Sequence, residues 1–464
     1  MPAPRLTVYA CAAVLAAAVS YGLLRMPLQL HDAVEEIMAA DRSPGVWASF
    51  TSTIGETAYF RPLRIAETKL LFDLSGGHYF AAYKTFHIAL LVAAFALFVA
   101  LLPIETWTDA AAALFALTVF AGLHTFLGLV REAFPINHFL QVAVLVLVAV
   151  HLSRARPRTA VDVAANIAFV LACLTLESGV LVWVAAVASR LAGRRGISDR
   201  GLVVMTALLA AYGVVRFMVL APHVQAMANA SGYFFERLEG PEIRARFGAG
   251  LSRFSVYNVL ASIATVLFSE PRGGVFVFFR ALSLAAVPPR MWINIVSSTL
   301  TTLLIGVAVS RRTERRGPFG SAVLILAAVL VASAAASFAY AKDEIMSAAG
   351  VFYALVAFWA VRELLARNLH RAAAALVSVL LLVAGSGWAI RTIGVAHVLR
   401  TQAFTVRNDW AEIPEAMEKR GTWPTEPSTQ QLVLRLRDGA LRMPVVNPWF
   451  IPRWADRVFD GDYF

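Results

Sequence analysis

The chain has 464 residues, 59% of them hydrophobic and 15% charged, with a net charge of +11 at pH 7. A mean hydropathy of +0.67 excludes an ordinary soluble protein, whose surface needs more charge. Apolar runs that are continuous rather than alternating exclude a β-barrel. In such a chain the basic excess reads as the cytoplasmic Lys and Arg that fix orientation, not as a nucleic-acid footprint.

Taken in chain order, runs near the roughly 20 residues a spanning helix needs fall at about 6–24, 86–103, 110–127, 138–152, 161–176, 178–192, 201–220, 291–310, 319–340, 349–366 and 372–392. The expectation is therefore an all-α polytopic membrane protein with about 11 transmembrane helices, or up to 13 if 256–287 crosses as a hairpin. The first run is long for a cleaved signal and reads as a retained span. Residues 161–192 read as a hairpin turning at Glu177, not as one long helix.

Basic clusters at 154–158, 190–200, 311–316 and 362–371 follow even-numbered spans and share one side, which the positive-inside rule makes the cytoplasm. The loop "IETWTD" lacks a basic residue and departs mildly from the pattern. The expected arrangement is a multi-pass protein of the inner or plasma membrane. Its N-terminus is cytoplasmic, residues 1–392 form the transmembrane domain, and 393–464 form a small extracytoplasmic tail. Cys11 and Cys173 both lie in apolar runs, so neither a disulfide framework nor a Cys metal motif is indicated.

The loops on the outer side are unusually polar for their length. The first opens "LQLHDAVEEIM", with Asp32, Glu35 and Glu36; Asp32 is either a helix N-cap with Glu35 as its capping-box partner or a carboxylate retained for a task. The next turns hold His124, Arg131, Glu132 and Asn137, then Glu177 in "TLESG", then Lys342, Asp343 and Glu344. Polar side chains converging from separate loops are what a site at a membrane surface requires. Neither GxGxxG after a strand nor GxxxxGK[ST] nor HExxH occurs, and "DGD" at 460–462 is short enough to be a chance match.

The stretch "YFRPLRIAETKLLFDLSGGHYFAAYKTFHIALL" resembles membrane glycosyltransferases of the GT-C type, particularly the protein-mannosyltransferase-like branch. There an aromatic and Arg-Pro-Leu precede a small Gly turn, then a Tyr and, eight residues later, a His opening the next span. Tyr59, Arg61, Pro62, Leu63, Gly76, Gly77, Tyr79 and His87 stand in those places. "LTLESG" is similar to the family's acidic turn, with Glu177 in the acid's place, and Lys342 and Gly350 keep the spacing of a later turn that normally has Arg.

The resemblance implies a GT-C-like bundle that moves a sugar from a polyprenyl-phosphate donor to an acceptor hydroxyl on a glycan, lipid or protein, with inversion. The catalytic base it implies is Asp32, although "HDA" lacks the second adjacent acid that many members have. The departing phosphate needs positive charge. Arg61, Lys342, Arg64 and Arg131 are the candidates, Arg61 foremost because Pro62 stiffens its position and its planar fork grips phosphate. The alternative for Arg61 is a headgroup anchor; periodicity alone reads His87 as a satisfied helix-end histidine. Glu177, Glu132, His87 and Tyr79 are candidates to orient the acceptor or a divalent cation, Mg or Mn; no nucleotide cofactor and no nucleic-acid partner are expected. A lipid-linked polysaccharide polymerase or ligase, and a transporter or flippase, are the competing classes.

Overall fold

The computed structural model describes residues 2–52, 60–131, 135–220, 239–248, 251–268, 275–311, 317–366, 370–445 and 450–459. All regular structure among them is helical. The first half comprises α1 (Ala3–Arg25), α2 (His31–Arg42), α3 (Val46–Ser52), α4 (Pro62–Leu74), α5 (Tyr79–Ala100), α6 (Trp107–Gly122), α7 (His124–Arg131), α8 (His138–Arg154), α9 (Thr159–Thr175) and α10 (Leu181–Leu191). There follow α11 (Asp199–Val214), α12 (Gly240–Phe247), α13 (Leu251–Phe268), α14 (Val275–Ser283), α15 (Pro289–Ser310), α16 (Pro318–Ala336), α17 (Ser347–Leu365), α18 (Arg371–Ala411), α19 (Ile413–Arg420), α20 (Pro427–Arg442) and α21 (Trp454–Phe459).

Seven of the described helices are long and apolar enough to cross a membrane, or nine if two bent pairs each count as one span. That fits a multi-pass membrane protein and is fewer than the eleven expected. The physical reason is helix length. Helices α8 and α9 have 17 residues each and α10 has 11, so at a rise of 1.5 Å the longer two reach about 25 Å, short of about 30 Å of hydrocarbon. The run expected at 110–127 is broken: α6 and α7 meet at 55°. Leu176, with φ −159° and ψ 149°, does end α9 just before Glu177.

The bundle is built around α17. Its most apolar window is 94% buried, because Phe352, Tyr353, Phe358 and Trp359 project from all sides into α6, α15, α16 and α8. Such an all-round apolar helix belongs at a centre. Helix α18 runs along α6, α15 and α1, held partly by Arg391, which donates to Ser298 Oγ at 2.8 Å and lies 3.9 Å over the Trp388 ring.

Helix α18 continues unbroken through residue 392 for 41 residues. Beyond the bundle its end packs Val406 and Trp410 against Val34, Ile37 and Met38 of α2 and Leu432, Val433 and Leu436 of α20. Trp410 Nε1 donates to Leu28 O at 2.8 Å. The first loop and the C-terminal helices thus share a second core.

Candidate functional site

The site grows from α2 and α4. In α2 the apolar residues Ala33, Val34, Ile37, Met38 and Ala40 recur at helical spacing and are buried, which turns Glu35 outward and leaves Glu36 to pair with Arg64. The helix starts one residue before Asp32, with Leu30 as N-cap and no side-chain capping bond. Asp32 is therefore not an N-cap, and the capping-box reading is corrected. Its side chain lies outside the described residues, as do Tyr59 and Glu132.

Pro62 is the first residue of α4 and Arg61 its N-cap, the place where proline's missing N–H costs nothing. From there Arg61 donates Nε at 3.0 Å and Nη2 at 2.8 Å to Glu177 Oε2. One turn on, Arg64 pairs with Glu36 and its Nη1 lies 3.5 Å from His138 Nε2. Glu67, three residues further, accepts from Gln141 Nε2 at 2.9 Å. Positions 64 and 67 on α4 thus meet 138 and 141 on α8, two i,i+3 pairs forming rungs between the helices. Burial pushes the Glu67 carboxyl up to about 7, with the Gln141 bond opposing; its Oε2 has no hydrogen-bond partner among the described residues.

Asn137 fixes the start of α8. Its Oδ1 accepts from Leu140 N at 3.0 Å, its Nδ2 donates to Leu129 O at 2.6 Å, and Nδ2 lies 3.0 Å from His87 Nε2. His87 belongs to an inward stripe of α5 that is polar at Lys84 and His87 and apolar at Leu91, Phe95 and Phe98. Lys84 is 2% exposed, and its Nζ has no hydrogen-bond partner among the described residues.

From the other side come Arg131 and Lys342, whose charges meet on Glu344 at 4.0 and 3.8 Å. Glu344 is 1% exposed, and Gly128 makes room for it: a Cβ there would stand 3.0 Å from Oε1. Lys342 also lies 5.4 Å from the Phe139 ring centroid. Arg64, Arg61 and Lys342 are all near enough to His138 for their charges to act on it.

Of the residues singled out from sequence, Arg61, Arg64, Arg131, Lys342, Glu177 and His87 gather at one end of the bundle. Tyr79 stands apart, stacked on Phe72 at 4.8 Å beside the second core. Glu67, His138 and Lys84 are not among them, although the 64/67 and 138/141 spacings place each pair on one helix face. Among the described residues no group of three or more His, Cys, Asp or Glu could hold a metal ion. No family model, curated protein or solved structure matches the chain.

Arg61, Arg64, Arg131 and Lys342 each face a carboxylate from another element or share one, whereas the Lys84 Nζ has no hydrogen-bond partner among the described residues. An anion entering the cluster would be gripped by exchanging one such partner for another, and a proton would be exchanged at Glu67.

Proposed function

We propose that the protein is a membrane glycosyltransferase. It moves a sugar from a polyprenyl-phosphate donor to an acceptor hydroxyl at the extracytoplasmic face, with inversion at the anomeric carbon. The observation that supports this reading most is that Arg61 and Arg64 from the start of α4 and Lys342 from the loop before α17 gather at His138 and Phe139, where α8 begins. A leaving lipid phosphate needs such a cluster, since stabilising charge as it develops in a partly dry site is usually the main way an enzyme lowers a barrier.

In this reading Arg61 and Lys342 hold the phosphate, with Arg64 and Arg131 behind them, and Glu177 keeps Arg61 extended until the donor arrives. Asp32 takes the acceptor proton as the new C–O bond forms and the bond from carbon to phosphate oxygen breaks. The acceptor is a glycan, lipid or protein, with His87 orienting it through Asn137.

Lys84, buried in a spanning helix, favours a second reading, a transporter or flippase, in which intramembrane charges line a path. Purified protein in sealed proteoliposomes with polyprenyl-phosphate sugar labelled in the sugar discriminates them. Appearance of labelled acceptor together with free polyprenyl phosphate supports transfer; intact donor moved between leaflets supports transport and overturns the enzyme reading.

A further inference from the structure

At the opposite end of α10 from Glu177 lies a half-open cavity of about 750 Å³ that the proposed chemistry does not use. One wall carries Arg190, Arg194 and Arg195; the other is the start of α16, with Gly320, Val323 and Leu324. Local sequence builds it. Gly193, with φ +85°, closes α10 by letting Arg194 N reach back to Ser189 O at 2.9 Å, the backbone pattern of a left-handed glycine cap. That turn delivers two consecutive arginines to the cavity. Ser321 Oγ donates to Ala192 O at 3.2 Å and ties the two walls together.

Among the described residues the charge there is not balanced from within. A helix C-terminus welcomes a cation, which accounts for Arg190, and Arg190 is also paired with Asp199. Neither Arg194 nor Arg195 has a carboxylate partner among the described residues, and Arg194 stands close enough to Arg154 for the like charges to oppose each other. Backbone N–H groups in the first turn of α16 lack intrahelical partners and add to the demand for an anion. The rim is apolar and faces outward, with Leu191 73% and Leu324 37% exposed. A cavity that is cationic at one end and open to hydrocarbon at the other matches an amphiphile with a phosphate head.

We propose that this cavity binds an anionic phospholipid of the bilayer, its phosphate on Arg194 and Arg195 and an acyl chain along Leu191 and Leu324. Basic pockets between spanning helices recognise such headgroups. A merely orienting basic loop would lie against the headgroups without a cavity behind it.

Native mass spectrometry of delipidated protein with phosphatidylglycerol or phosphatidylcholine of equal chain length tests this. Expected is a preference for phosphatidylglycerol that falls about 30-fold in the Arg194→Gln/Arg195→Gln variant, with phosphatidylcholine binding unchanged. Leu324→Trp, which fills the apolar wall and leaves the charges, should weaken both lipids. If the double variant does not fold, Arg194→Lys, which keeps the charge, and Leu324→Trp carry the test. The proposal is overturned if the parent shows no preference, if the double variant keeps it, or if inorganic phosphate alone stabilises the protein as much as the lipid does, which would make this a free-anion site.

Discussion

Arg61 turns two of its nitrogens onto one oxygen of Glu177, across 116 residues of sequence, and the side chains are 20% and 33% exposed. A pair this accessible contributes little to stability, about 0–1 kcal/mol. Its value lies in holding a guanidinium extended at the mouth of α4.

The first prediction concerns that guanidinium. Arg61→Gln and Lys342→Gln should each weaken binding of a polyprenyl-phosphate sugar roughly 10- to 150-fold, as loss of a charge-assisted contact does. The double variant should lose less than the product, since both would share one phosphate. Unchanged donor affinity in both single variants, measured by titration in nanodiscs, moves the phosphate site elsewhere.

Glu67 should make stability depend on pH. Its folded pKa of about 7 lies above the ordinary 4.5, so the folded state holds a proton that the unfolded state has released. Stability is then full below about pH 4.5 and declines as pH rises toward 7, by at most about 3–4 kcal/mol at about 1.4 kcal/mol per unit. Glu67→Gln, which keeps an acceptor for Gln141, should lose the fall in melting temperature that Glu67 contributes between about pH 5 and 7. A variant with the parental pH slope would place the titrating group elsewhere.

Lys84 carries a desolvation cost with no hydrogen-bond partner among the described residues to offset it. Lys84→Met should stabilise the purified protein by on the order of 1–3 kcal/mol, seen as a raised melting temperature. If Lys84 serves the site, activity should fall in the same variant, the usual opposition of stability and function. A lowered melting temperature would show that the ammonium is satisfied in the folded protein.

Gly179 lies two residues beyond Glu177, and a Cβ there would overlap the backbone of Ala172 and Cys173. Backbone cannot rotate away as a side chain can, so Gly179→Ala should cost about 1–3 kcal/mol and shift Glu177 with it. Parental melting temperature in that variant would mean the turn can open without loss.

Trp410→Ala should damage the first loop although it is 382 residues from Leu28 in sequence. Removing a buried tryptophan typically costs about 3–5 kcal/mol. Trypsin should then cut at Arg25 or Arg42 much faster than in the parent, while sites inside the bundle stay protected. Equal cleavage rates would separate the second core from that loop.

Much of this was legible in sequence and some was not, for identifiable reasons. Hydropathy finds apolar stretches but not their breaks, so the bend at Leu123 and the shortness of α10 escaped it. Residues 393–411 were expected to lie in a tail because their hydropathy drops; the continuation of α18 was nonetheless written in the absence of any Gly or Pro from 395 to 413. Glu177 and Lys342 stood out as charges in short loops, and Arg61 through the family resemblance of the stretch around it. Glu67 and His138 did not, because their meaning depends on side chains of α4 reaching the start of α8, a long-range fact no local pattern carries.

The length of α18 has a mechanical consequence. At 1.5 Å per residue its 41 residues measure about 60 Å, twice the hydrocarbon thickness, so about half of it stands clear of the lipid as a strut anchored in the second core. A tilt of about 10° in its lipid-embedded half would swing the far end by roughly 5 Å. Helix α2, bolted to that end through Trp410, would move with it, carrying Glu36 relative to Arg64. Any tilt of α18 against the helices it packs on, α6, α15 and α1, would thereby alter the spacing of charges at the site.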